Sequence, residues 1–130
     1  MRLRKTWNDK KGGFNFEIVN WGDNSECWNY YIYFTQDNTP QHLWESLLEL
    51  EPTKYSIRYE SSFLGDVPFH IGCTFAEFQR NGMQEIIAVK AGCDYAHYYD
   101  EGHEYELEDV TRDCHNTIDA LADMFKEITK

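Results

Sequence analysis

Between Gly92 and His103 the chain reads GCDYAHYYDEGH, and four side chains able to bind a metal or move a proton recur at every third position: Asp94, His97, Asp100 and His103. On a helical turn these carboxylates and imidazoles would line up approximately, a donor set suited to a divalent cation. His70 and Cys73, in Phe69-His-Ile-Gly72-Cys-Thr74, offer further donors. One reading is therefore a metal-dependent enzyme using His70, Asp94, His97 and Asp100. The spacing matches no established zinc arrangement such as H-E-x-x-H. A tight, glycine-bounded loop whose Asp and His side chains bond the backbone accounts for the same residues, so neither a metal nor a cofactor is expected.

Nucleophilic chemistry has less support. The chain contains no G-x-S-x-G and no phosphate-binding glycine loop. Cys114 and His115 are adjacent, but neighbours on a helix point in different directions. No catalytic residue is assigned, and the chain is read as a binding protein.

What it binds with is suggested by charge. The 130 residues carry 23 acids against 12 Lys and Arg, a net charge of −11. Five of the bases (Arg2, Arg4, Lys5, Lys10, Lys11) fall in the first eleven residues. No base occurs from Gly12 to Thr53, where Glu17, Asp23, Glu26, Asp37, Glu45, Glu49 and Glu51 lie. None occurs from Ala91 to Thr111 either, which holds Asp94, Asp100, Glu101, Glu104, Glu106, Glu108 and Asp109. Ordinary soluble surfaces mix the two signs. Direct binding to nucleic acid or to an anionic membrane is not expected, because both require a basic patch.

Such acids can instead imitate nucleic acid. If Glu104, Glu106 and Glu108 are extended, they share one face at a spacing of roughly 6.6–6.8 Å. Phosphates along a DNA strand advance about 3.4 Å per residue along the axis, and further through space. Asp100, Glu101 and Asp109 would extend the row, and Tyr95, Tyr98, Tyr99 and Tyr105 could stack on arginines of a basic groove. The expected contact set is Asp94 to Asp109, namely Asp94, Asp100, Glu101, Glu104, Glu106, Glu108 and Asp109, together with Asp23, Glu26 and Asp37. The bland alternative is a solvated acidic face that only aids solubility.

The supporting elements read as one domain, 1–130, of α+β class. Phe14–Trp21 and Cys27–Phe34 are expected strands around a turn at Gly22-Asp-Asn-Ser25. Thr39 and Pro40 are placed as N-cap and first-turn proline of a short helix with Leu43, Trp44, Leu47 and Leu48 at helical spacing, ended by Pro52. Lys54–Glu60 alternates as a half-exposed strand. Ile71–Gln79 and Glu85–Lys90 flank the hairpin signal Asn81-Gly82. Gly92 to about Glu104 looks irregular. A long helix then runs from about Glu106 to Ile128, with Val110, Cys114, Ile118, Leu121, Ala122, Phe125 and Ile128 as its apolar stripe. Glu106, Glu108 and Asp109 suit the positive end of its dipole. The expected product is a mostly antiparallel sheet of about five strands with one short and one long C-terminal helix. Cys27, Cys73, Cys93 and Cys114 form no C-x-x-C, and no apolar run follows the basic opening. Reduced thiols in a cytoplasm are therefore expected, and the chain is read as a monomer.

Residues 68–100 add a resemblance. The segments PFHIGCTF and AGCDYAHYYD resemble H-G-G-x-T followed by G-x-D-x-A-H-x-x-D, a pattern of small bacteriophage and mobile-element proteins. His70, Gly72, Thr74, Gly92, Asp94, His97 and Asp100 match it, whereas Ile71 stands where the pattern has glycine. That resemblance implies a phage setting without an activity; a phage component with no DNA-related partner is a further reading. In size and acidity the chain resembles the DNA-mimicking anti-CRISPR inhibitors of type II-C Cas9. For such a protein the resemblance implies occupation of the basic site that reads the protospacer-adjacent motif, and it transfers no catalytic residue.

Overall fold

Gly12 and Gly13 both hold positive φ, 57° and 85°. Two successive residues of that kind form the two-residue turn whose twist suits a β-hairpin. They join strand β1 (Arg4–Lys11) to β2 (Phe14–Trp21), with Lys11 opposite Phe14 and Arg4 opposite Trp21. The computed structural model describes residues 4–21, 27–49, 62–95 and 104–128. Within them, β3 (Trp28–Phe34), helix α1 (Gln41–Glu49), β4 (Phe75–Arg80), β5 (Ile86–Asp94) and helix α2 (Leu107–Ile128) follow in order. All five strands pair antiparallel in the order β1-β2-β3-β5-β4. The α+β architecture with a long C-terminal helix is therefore the observed one.

The core lies between one sheet face and α2. Along β3, Trp28, Tyr30, Ile32 and Phe34 are buried, while Asn29, Tyr31 and Tyr33 between them are half-buried on the other face. This is the period of two that strand geometry dictates. On α2 the buried stripe is Val110, Cys114, Thr117, Ile118, Leu121 and Phe125. Phe125 meets Phe14 at 6.0 Å between ring centroids, and the His115 ring stands edge-on to Phe16 at 5.4 Å. The second face has its own packing. Glu17 is buried there with Oε1 3.1 Å from Lys90 Nζ and 3.5 Å from an Arg4 nitrogen, and the Lys90 ammonium sits 4.3 Å from the Tyr31 ring centroid.

Several boundaries differ from those read in the sequence. No strand was expected before Phe14, yet β1 completes the sheet edge. Its charges disguise it, since at a sheet edge charged side chains discourage pairing with another chain. β4 begins at Phe75, because Phe69–Gly72 is a turn closed by Gly72 N–H donating to the Phe69 carbonyl at 2.9 Å. β5 extends to Asp94, so the start of the segment expected to be irregular is strand. At the β4–β5 hairpin, positive φ falls on Gln84 (65°), and the Asn81 side chain accepts from Met83 and Glu85 N–H at 2.8 and 3.0 Å. Pro40, not Thr39, supplies the first helical acceptor of α1, bonding Trp44 N–H at 2.9 Å. The expected strand Lys54–Glu60 lies outside the described residues.

Candidate protein-interaction site

Acids of the second window, Asp94 and Glu104 to Glu108, belong to one end of the domain. Asp94 closes β5 opposite Asn29 of β3. The Asn29 side chain accepts from Trp21 Nε1 at 3.0 Å and donates to the Cys93 carbonyl at 3.3 Å, tying the ends of β2, β3 and β5 together. Trp21 N–H donates to the Cys27 carbonyl at 2.9 Å, so the end of β2 and the approach to β3 sit at this end too. Trp28 Nε1 donates to the Tyr105 carbonyl at 3.2 Å, which brings the approach to α2 alongside. Glu104, Glu106 and Glu108 are exposed there. Asp23, Glu26, Asp100 and Glu101 themselves lie outside the described residues, as do His97, His103, Tyr98 and Tyr99.

Three expectations about this end need correcting. Glu104, Glu106 and Glu108 do not form an extended row, because α2 begins at Leu107 and Glu108 occupies its first turn. Asp109 is engaged: its Oδ2 accepts the Glu106 N–H at 2.9 Å, and its Oδ1 lies 3.3 Å from Arg112. That is the backbone-directed half of a capping box, and it satisfies a donor that the helix start would otherwise leave open. Tyr95 cannot stack on a partner's arginine, since it is fully buried and its hydroxyl donates to Asp113 Oδ2 at 2.6 Å. Asp37 is exposed but belongs to the opposite end, beside Phe125 and Lys126 near the C-terminus of α2.

Beneath the acidic end lies a polar and aromatic layer. The His70 ring stacks on Tyr95 with centroids 4.0 Å apart and planes 9° apart, and Tyr105 stands edge-on to Tyr95 at 4.7 Å. The Tyr30 hydroxyl accepts the His70 N–H at 2.9 Å and shares a 2.8 Å hydrogen bond with Thr117 Oγ1. Thr117 in turn reaches the Pro68 carbonyl at 3.0 Å. Burial pushes the Tyr30, Tyr95 and Cys93 groups well above their ordinary pKa values, and the Cys114 thiol up to about 12. These groups stay neutral across the physiological range, which suits support better than proton transfer.

Of the metal-like residues, His70, Cys73 and Asp94 are among those described. Asp94 Oδ2 accepts from the Thr74 hydroxyl at 3.3 Å. The His70 ring stacks on Tyr95. Among the described residues, no group of three His, Cys, Asp or Glu side chains is placed to hold a metal ion. All four cysteines are free thiols, with Cys73, Cys93 and Cys114 buried. A shallow groove of about 630 Å³ follows α2 from Leu107 to Asp119; its cations Lys11 and Arg112 already face Asp119 at 2.6 Å and Asp109 at 3.3 Å. Among the described residues, no helix is long and apolar enough to cross a membrane.

Two features of this end were not singled out from sequence. Asp113 is the acceptor that fixes Tyr95; its position one turn before Thr117 on the packed side of α2 was the available signal. Ile71, exposed beside His70, has φ of 61°. Its departure from glycine in the H-G-G-x-T pattern marked the position without giving the conformation. No known protein family, no curated protein and no solved structure matches the chain significantly.

Proposed function

We propose that this chain is a non-enzymatic binding protein whose acidic end occupies a basic, nucleic-acid-binding groove on a partner protein. The particular partner we propose is a type II-C Cas9, at the site that reads the protospacer-adjacent motif; the chain would then be an anti-CRISPR protein from a phage or mobile element, acting in the bacterial cytoplasm. The observation that supports this reading is that Asp94, at the end of β5, and the approach to α2 that carries Glu104 and Glu106 lie at one end of the sheet, through the Asn29–Asp94 pair and the Trp28–Tyr105 contact. Carboxylates carried on a folded platform can oppose a basic groove without the ordering cost of a flexible acidic tail. Glu104, Glu106, Glu108 and Asp94 are the described residues assigned to contact.

Electrostatic recognition of this kind associates fast and weakens as salt screens it. The test is a competition experiment in which guide-loaded, cleavage-inactive Cas9 binds labelled target DNA while the protein is titrated in. DNA should be displaced, with an apparent affinity that falls as salt rises. Reversal of Glu104, Glu106 and Glu108 to Lys should weaken displacement by about tenfold or more. Displacement that ignores both salt and the triple reversal would refute the reading.

A further inference from the structure

We propose that Ile71 is the apolar anchor of the partner-facing surface. This inference rests on the function proposed above and concerns how the same end holds its partner once charge has brought it near.

Ile71 is the third residue of the Phe69–Gly72 turn and has φ of 61°. Glycine or asparagine takes that conformation readily, whereas a β-branched side chain there is a steric outlier. The turn is nevertheless firmly placed. His70 N–H is held by the Tyr30 hydroxyl at 2.9 Å, the His70 ring is stacked on buried Tyr95, and the Pro68 carbonyl accepts from Thr117 at 3.0 Å. Strain persists where surrounding contacts over-determine the backbone, and such positions cluster at sites of function. The Ile71 side chain gains little from folding in return, because it is 46% exposed. A residue costly to the turn and half in water contributes what glycine could not, an aliphatic surface facing outward.

Its surroundings define the occupant. The His70 ring lies 6.0 Å from that of Tyr105, which Glu104 and Glu106 flank, and Thr74 on the other side holds Asp94. An apolar side chain inside an acidic rim fits a basic protein groove with an apolar recess, such as one that receives a base. In interfaces of this design the rim charges govern association, while desolvated central contacts govern dissociation. The exposed side chains of Met83 and Ile87 are no substitute, because they belong to the β4–β5 hairpin at the opposite end of the strands.

The test measures binding kinetics on the same guide-loaded Cas9. Ile71→Asn accepts positive φ and removes the apolar surface, so its Tm should equal or exceed that of the unaltered protein. Its association rate should be unchanged and its dissociation about tenfold faster or more. Ile71→Leu, which keeps an aliphatic group, should dissociate within about twofold of the unaltered protein. Should Ile71→Asn lower Tm, Ile71→Gly supplies the same comparison on a turn it fits without strain. Unchanged dissociation in a folded Asn or Gly variant overturns the anchor alone, provided the Glu104, Glu106 and Glu108 reversal still weakens binding by about tenfold or more. Failure of the unaltered protein to bind overturns the proposed function and the anchor with it.

Discussion

The Tyr95 hydroxyl donates to Asp113 Oδ2 at 2.6 Å, joining the residue that follows β5 to the second turn of α2. Tyr95 is fully buried; its N–H donates to the Trp28 carbonyl at 2.9 Å, and its ring meets His70 on one face, Tyr105 edge-on and Tyr30 at 6.2 Å. The hydroxyl bond to Asp113 ties this platform under the acidic end to α2. Tyr95→Phe keeps the ring packing and removes the bond. Because Asp113 is half-buried and can recruit water, the loss should be about 1–2 kcal/mol in denaturant unfolding. A change below about 0.3 kcal/mol would show that the bond contributes nothing net.

Gly92 tests how closely β3 and β5 approach. A Cβ at this position would lie 2.2 Å from the Tyr30 carbonyl oxygen and 2.6 Å from the Tyr31 ring. The first obstacle is backbone and cannot swing away. Gly92→Ala should therefore destabilise the domain by about 3 kcal/mol or more, through displacement of the central strand pair. Circular dichroism melting of the variant checks this; an unchanged Tm would mean the strands can separate without cost.

Alkali should unfold the protein earlier than its acidity suggests. Burial raises the Cys114 thiol from near 9 to about 12 and the Tyr31 hydroxyl from near 10 to about 12; Tyr30, Tyr95 and Cys93 shift in the same direction. All are neutral when protonated, so between roughly pH 9 and pH 12 the unfolded chain holds fewer protons than the folded one. Stability then falls with rising pH, starting at the unfolded values and continuing through the folded ones. Tm measured against pH should be level from these groups below about pH 9 and decline steeply above it. The tyrosinate absorbance contributed by Tyr30, Tyr31 and Tyr95, read as the difference from their Phe variants, should appear together with unfolding and not before it.

Much of this fold is legible in the residues because local and tertiary signals agree. The alternation of Trp28, Tyr30, Ile32 and Phe34 and the stripe from Val110 to Phe125 each match the face that is buried. β1 is obscured because Lys10 and Lys11 dominate the segment, although Gly12-Gly13 is itself a hairpin signal. The acidic end is harder. Charge identified Asp94, Glu104, Glu106 and Glu108, but only the sheet register shows that Asp94 neighbours the β2–β3 end and that Asp37 does not. Nor does composition separate an acid that faces solvent from one with internal work. Glu17 is buried against Lys90, and Asp113 accepts a hydrogen bond from the Tyr95 hydroxyl. Pairing across strands is a property of register, and register is set by turns whose geometry a single sequence states only in part.

Asp109 allows the two roles of an acid at this end to be separated. Its side chain accepts the Glu106 N–H at 2.9 Å and faces Arg112 at 3.3 Å, while Glu106 and Glu108, which precede it, are exposed. Asp109→Ala removes the cap and should cost about 1 kcal/mol of stability. Its effect on affinity for the proposed partner should stay within about threefold, because the lost charge was already opposed by Arg112. Glu106→Gln should do the reverse: it keeps the backbone N–H that Asp109 accepts, leaving Tm within about 2 °C, and weakens binding more than Asp109→Ala does. Paired melting curves and affinities of the two variants check the separation. If both track charge alone, with equal losses of affinity and no difference in Tm, Asp109 acts as a contact residue and its capping geometry adds nothing to stability.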